Sequence, residues 1–131
     1  VLKREEASEV VTTKASGDEG ESRALAHLQR QGLKLVERNY RVAAGPRSHG
    51  AEVDLIMRDR DGTLVFVEVR RRAGGGHGSA AESISVAKRR RLVFAAQNYL
   101  QRHATPPPCR FDVVAIDGDR IEWLRAAFDA L

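Results

Sequence analysis

Ala24, Leu25 and Leu28 form an apolar stripe at helical spacing. It follows Ser16 and Glu19, which have the spacing of a capping box, and Gly32 closes the run, so the pattern predicts a helix over about residues 17–31. Residues 1–15 show no sustained periodicity and read as a mobile tail ahead of a single domain spanning 16–131. Lys34 to Arg41 reads as a strand with Leu33 and Leu35 inward and Val42 at its end, followed by a loop from Ala44 to Gly50. Two clearer strands follow, Ala51 to Met57 and Leu64 to Arg70, joined through Arg60-Asp61-Gly62, which suits a three-residue hairpin loop closed by a left-handed Gly. After a Gly-rich loop from Ala73 to Ala80, Ser85 is placed to cap a long helix reaching about Arg102, with Leu92, Ala95, Ala96, Tyr99 and Leu100 on its apolar side. Beyond Pro106 to Pro108, Arg110 to Asp117 reads as a strand, Asp117-Gly118-Asp119 as a turn, Arg120 to Leu124 as a short strand, and the remainder as a short helix or frayed end. The order α-β-β-β-α-β predicts an α/β fold with a central mixed sheet flanked by helices.

At 131 residues there is room for one core, and 42% hydrophobic with 31% charged residues is the composition of a globular chain. The longest unbroken apolar stretch is Leu92 to Ala96, too short to span a bilayer, so no membrane segment is expected. Val1 to Glu21 has no apolar region resembling a secretory signal, and the lone Cys109 has no disulfide partner; together they predict a cytoplasmic protein. The net charge of +4 is unevenly spread: Glu68 to Arg110 carries +7, leaving −3 on the rest. Such a charge dipole fits a domain that turns one face to a phosphate backbone, and it fits a solvated helix face as well.

The informative residues are acids where apolar residues belong. Leu64-Val65-Phe66-Val67-Glu68-Val69 is a run typical of a strand covered on both faces, where an unpaired carboxylate costs several kcal/mol. A hairpin loop centred on Asp61 makes paired positions sum to 122, which sets Asp54 opposite Glu68 and Glu52 opposite Arg70; alternation puts Glu52, Asp54 and Ile56 on one face. Opposed like charges with Cβ atoms about 5 Å apart destabilise a sheet, so something positive must relieve them. A divalent metal ion and a structural salt-bridge network with Arg70 both answer. Two carboxylates, a backbone carbonyl and waters form the all-oxygen ligand set of Mg²⁺ or Mn²⁺. Zinc fits poorly, because His27, His49, His77, His103 and Cys109 lack zinc-ligand spacing. Glu21 falls on the helical face of Leu25 and Leu28 that must pack on the sheet, although a first-turn Glu also answers to the helix dipole.

Asp54, then Glu68-Val69-Arg70 closing the next strand, with Glu21 on an N-terminal helix, resembles the PD-(D/E)XK nuclease arrangement. The chain is identified as similar to the YraN family, small bacterial proteins grouped with endonucleases and resembling archaeal Holliday-junction resolvases. The likeness runs over about residues 17–117 through Gly20-Glu21, Asn39-Tyr40-Arg41, Glu52-Val53-Asp54-Leu55-Ile56, Leu64 to Val69, Ala80-Ala81-Glu82, Lys88-Arg89-Arg90-Arg91-Leu92, Tyr99-Leu100 and Arg110 to Val114. It implies a restriction-endonuclease-like fold. It also implies a Mg²⁺ or Mn²⁺ centre held by Asp54, Glu68 and the Val69 carbonyl, with Glu21 contributing directly or through water. The reaction implied is phosphodiester hydrolysis in DNA, branched or structured DNA included, with a homodimer as a further expectation from the resolvase likeness. Position 70 departs from the pattern, since Arg70 replaces the usual Lys; a guanidinium cannot act as a general base, though it can orient water or stabilise charge on phosphate. Ala51 likewise stands where the family usually has Gly.

Arg71, Arg72 and Lys88, Arg89, Arg90 and Arg91 are the expected nucleic-acid contacts, with Glu52 supporting the centre. Basic residues in the first turns of a helix oppose its dipole, and phosphate would relieve them. With aromatics at only 5%, backbone and shape recognition is favoured over stacking on unpaired bases, and DNA over RNA. Two rival readings stand beside the nuclease: a nucleic-acid-binding protein of the same fold that has lost catalysis through Arg70, and a protein-interaction module whose hairpin acids form a salt-bridge network.

Overall fold

A computed structural model describes residues 13–43, 50–71 and 84–130. Most of the expected tail and of the loop Ala44–Gly50, together with Arg72, the Gly-rich loop Ala73–Ala80 and Glu82, lies outside the described residues. The elements are α1 (Thr13–Arg30), β1 (Lys34–Val42), β2 (Ala51–Arg58), β3 (Leu64–Arg71), α2 (Val86–Leu100), β4 (Cys109–Asp117) and β5 (Arg120–Phe128). The five strands form one sheet in the order β1-β2-β3-β4-β5, with β3 and β4 parallel and the other neighbours antiparallel. A parallel pair needs a crossover, and the segment between β3 and β4 contains α2. The mixed sheet flanked by two helices is the α/β arrangement expected from the sequence.

Each sheet face has its own core. Val53, Ile56, Leu64, Phe66 and Phe111 pack with Leu92, Ala95, Ala96 and Tyr99 of α2. Leu55, Met57, Val65, Val67, Val114 and Ile116 pack with Ala24 and Leu28 of α1. Burial on both sides explains the near-continuous apolar runs of β3 and β4. No helix among the described residues is long and apolar enough to cross a membrane.

The hairpin forms as expected. Asp59 N–H donates to Thr63 O at 2.9 Å, Gly62 adopts φ +91°, and Leu55↔Val67 through Arg58↔Leu64 all sum to 122. Ser85 caps α2, its Oγ accepting the Lys88 N–H at 3.1 Å.

Three expectations are corrected. α1 begins at Thr13, so Ser16 lies inside the helix and is not its cap; Lys14 and Ala15 are good helix formers, and no Gly or Pro precedes Gly17 to stop propagation. β5 continues to Phe128 in place of a short helix. Asp112, fully buried, accepts from Trp123 Nε1 and the Ala126 N–H at 2.9 Å each, and Phe128 stacks on Phe111 at 5.1 Å. Leu35 is 38% exposed instead of inward, because the pairing of β1 with β2 slips by one residue between Leu35 and Glu37.

Candidate functional site

The site arises where the β2–β3 ladder ends. The last pair is Leu55↔Val67; at the next position the Val69 N–H donates to Asp54 Oδ2 at 2.8 Å, so a side chain takes over where backbone pairing stops. Side-chain alternation also breaks at Asp54. Val53 and Ile56 both pack toward α2, whereas Leu55 packs toward α1. The face expected to be shared by Glu52, Asp54 and Ile56 is therefore interrupted between Val53 and Leu55. Across β1, the pairs Arg38↔Leu55 and Tyr40↔Val53 bracket Asn39, which stands at the level of Asp54 with φ +53°. Asn is one of the few L-residues that tolerate this conformation, and it carries β1 through the same change of phase.

Glu68 lies beside Asp54, its side chain only 5% exposed. The two carboxyl groups are within hydrogen-bonding reach, and Glu68 Oε1 is buried without a hydrogen-bond partner. Burial, then the neighbouring Glu68 charge, pushes the Asp54 carboxyl up to about 7, against the Val69 N–H that favours its ionised form. Burial likewise raises the Glu68 carboxyl, opposed by Lys88 and Arg70. The structure thus brings Asp54 and Glu68 together at the end of the ladder, and burial outweighs the nearby cations at Glu68.

The cations around Glu68 differ from the expected set. Arg70 Nη1 stands 3.8 Å from Glu68 Oε2, and Lys88 Nζ, from the first turn of α2, stands 3.7 Å from the same oxygen. Glu52, expected opposite Arg70, instead accepts from Arg41 Nε at 2.6 Å, because β2 pairs with β1 at Arg41↔Glu52 while its ladder with β3 has already ended.

Glu21 approaches from α1. The Asn39 amide, oriented by its surroundings, donates to Glu21 Oε1 at 3.0 Å and Oε2 at 3.3 Å, and Arg38 Nη2 lies 3.7 Å away. Burial first, then the charge of Asp54, raises the Glu21 carboxyl. Glu21 is thus linked to the pair through the charge of Asp54, but among the described residues no three His, Cys, Asp or Glu side chains stand close enough to hold a metal ion by themselves. The acidic pair is the compact part, and Glu21 stands behind it.

The basic run Lys88–Arg91 is not one surface. Lys88 turns to Glu68, Arg89 lies over the Phe128 ring at 5.4 Å, and Arg90 and Arg91 are exposed. Helical spacing sets Arg91 on the flank of Lys88 and Arg90 away from the sheet. Arg71 is exposed at the end of β3, its side chain close enough to Gly20 that a Cβ there would meet Arg71 Cδ at 3.2 Å. Sequence reasoning missed Lys88 as a neighbour of Glu68 and Asn39 as the support of Glu21. The first carried a signal, since a residue three past an N-cap sits in the first turn of its helix; for Asn39 only its tolerance of positive φ was available.

Fold and site define an α/β protein with a buried acidic pair where two central strands part, ringed by Arg and Lys. The description "Uncharacterised protein family UPF0102" matches residues 20–116, and the chain belongs to this family. It is 69% identical over 121 residues to a UPF0102 protein of Methylibium petroleiphilum, covering 92% of this chain and 99% of that one. It is also 64% identical over 119 residues to a UPF0102 protein of Acidovorax sp., covering 91% and 88%. A UPF0102 protein of Paracidovorax citrulli is 60% identical over 124 residues, covering 95% and 90%.

Proposed function

We propose that the protein is a Mg²⁺- or Mn²⁺-dependent nuclease of restriction-endonuclease-like, PD-(D/E)XK type that hydrolyses phosphodiester bonds of DNA, branched or structured DNA included. The observation that carries the reading is the unpartnered Glu68 Oε1 beside an Asp54 whose carboxyl is pushed up to about 7. A buried pair of oxygen acids, one of its oxygens without a hydrogen-bond partner, fits a hard dication, and nothing in the donor set favours a soft one. Asp54, Glu68 and the Val69 carbonyl would hold the ion, with Glu21 acting through water, and the ion would supply Lewis-acid activation of water and charge neutralisation on phosphate.

The chain's own residues do the rest. Val69 N–H fixes Asp54, Asn39 fixes Glu21, and Arg41 holds Glu52 at the margin of the site. Arg70 brings a guanidinium to the mouth, able to pair with a phosphate oxygen and unsuited to accept a proton. Arg71 and Arg91 extend the positive charge to flanking phosphates, with Arg72 as a further contact expected from sequence.

Calorimetric titration with Mn²⁺ tests the centre: heat in the wild type, lost in Asp54→Ala, is expected, and no heat in either removes the reading. Branched and linear DNA incubated with Mg²⁺ or Mn²⁺ then tests the activity. Cleavage by the wild type that disappears in Glu68→Ala is expected, whereas cleavage surviving Glu68→Ala would expose a contaminant. A protein that binds Mn²⁺ and DNA but cleaves only as Arg70→Lys would be the binding protein that has lost catalysis.

A further inference from the structure

Lys88, expected from the sequence only as a nucleic-acid contact, stands beside Glu68. Its backbone is fixed by the Ser85 cap, and from that first turn its side chain crosses to the sheet, Nζ reaching within 3.7 Å of Glu68 Oε2. That distance exceeds the roughly 2.7–2.9 Å of a charge-assisted hydrogen bond, so the ion pair is a loose one. One-third of the Lys88 side chain remains exposed, which leaves the cation between the buried acids and solvent. A Lys in a first turn also opposes its own helix dipole, a cost that a purely structural pair would recover through tight contact.

Residue choice points the same way. The chain has eighteen Arg and four Lys, and Lys88 is followed by three Arg, so the one compact ammonium of this run occupies the position that reaches the acids. An ammonium offers three donors on a flexible stem, where a guanidinium presents a planar fork.

We propose that Lys88 is a catalytic residue of this hydrolytic centre, its ammonium contacting the scissile phosphate and taking up the charge that develops on a non-bridging oxygen. The inference rests on the nuclease reading above. Hydrolysis forms one bond from water oxygen to phosphorus, breaks the bond from phosphorus to the leaving sugar oxygen, and passes one proton from the water to that oxygen through solvent. Lys88 remains an ammonium throughout. Approach of the phosphate lets its N–H donors turn from Glu68 to an oxygen carrying more charge in the transition state than in the ground state.

The test compares wild type, Lys88→Met and Lys88→Arg. It measures single-turnover cleavage at saturating DNA in Mg²⁺, DNA affinity in Ca²⁺ by fluorescence anisotropy, Mn²⁺ heat by calorimetry, and thermal unfolding. Lys88→Met is expected to slow cleavage by about 100-fold or more while DNA affinity stays within about threefold and Mn²⁺ heat persists. Lys88→Arg, which keeps the charge and tests the geometry even if the Met variant fails to fold, is expected to slow cleavage by about tenfold with DNA affinity retained. Wild-type cleavage by Lys88→Arg, or weakened DNA affinity in Lys88→Met with an unchanged rate at saturation, would reduce Lys88 to a backbone contact and overturn the proposal. Loss of Mn²⁺ heat in a folded Lys88→Met would assign it a structural role and overturn it equally. A wild type that cleaves no DNA removes the nuclease reading itself, an outcome distinct from a wild type that cleaves and a Lys88→Met that cleaves as fast.

Discussion

Asp54 Oδ2 accepts the backbone N–H of Val69 at 2.8 Å, at the point where β2 and β3 cease to pair. One carboxylate therefore satisfies a strand donor and faces Glu68 at the same time. The N–H fixes its position, while burial and the second acid make its charge costly. Structure and chemistry meet in one side chain, and substitutions can separate them.

Asp54→Asn keeps an oxygen for the Val69 N–H and removes the charge, whereas Asp54→Ala leaves that donor without its acceptor. In EDTA at pH 7.5, Asp54→Asn is expected to be more stable than wild type, and Asp54→Ala less stable than Asp54→Asn by about 1–3 kcal/mol. Urea denaturation measures both. Equal stability of the two variants would mean that the Val69 bond contributes nothing.

The raised Asp54 and Glu68 carboxyls set a sign for the pH dependence. Between about pH 4, where unfolded carboxyls ionise, and about pH 7, the folded pair binds more protons than the unfolded chain. The contribution of the pair to stability therefore falls as pH rises through this window, by at most about 1.4 kcal/mol per unit for each proton held. Denaturation in EDTA at a series of pH values should show a loss toward neutrality that Asp54→Asn flattens and millimolar Mn²⁺ reverses. A wild-type curve parallel to that of Asp54→Asn would contradict the raised values.

Asn39 offers a test of the scaffold. Its φ of +53° favours Gly over Ala, and its amide holds Glu21. Asn39→Ala is expected to cost about 1 kcal/mol more than Asn39→Gly, and both should lower the cleavage rate, since neither can hold Glu21. Comparable melting of the two variants would show that the left-handed conformation is not what Asn39 provides.

These residues also show what was legible in the sequence. Gly62 and the apolar runs on either side fixed the β2–β3 register, and with it the neighbourhood of Asp54 and Glu68, because turn chemistry is local. Ser85 announced the start of α2 for the same reason. The break in alternation at Asp54 was not legible, since it depends on a positive φ in a different strand and on where a ladder ends. The partner of Glu52 was misassigned by extending the β2–β3 register past that end. Nor did the basic run declare its division, because which of four consecutive helical residues meets the sheet depends on how α2 is docked. The continuation of β5 was hidden in Asp112, a buried acid two of whose donors lie 11 and 14 residues further along the chain.

Docking of α2 leads to a prediction about DNA affinity that distinguishes neighbouring arginines. Each phosphate neutralised releases counterions, so log affinity falls with log salt at a slope of about 0.9 per contact on duplex DNA. Arg91 lies on the flank of α2 shared with Lys88, while Arg90 lies on the side turned away from the sheet, and both are exposed. Arg91→Ala is therefore expected to reduce the slope by about one contact and weaken binding to all sequences alike, and Arg90→Ala to reduce it less. Fluorescence anisotropy in Ca²⁺ from about 50 to 200 mM salt resolves this difference. Because a stabilising ion pair within the protein would change affinity without removing a phosphate contact, the slope, and not the affinity alone, decides. Equal slopes for both variants would mean that DNA does not approach along the Lys88 flank, and the path from the acidic pair to the flanking phosphates would have to run through Arg71 instead.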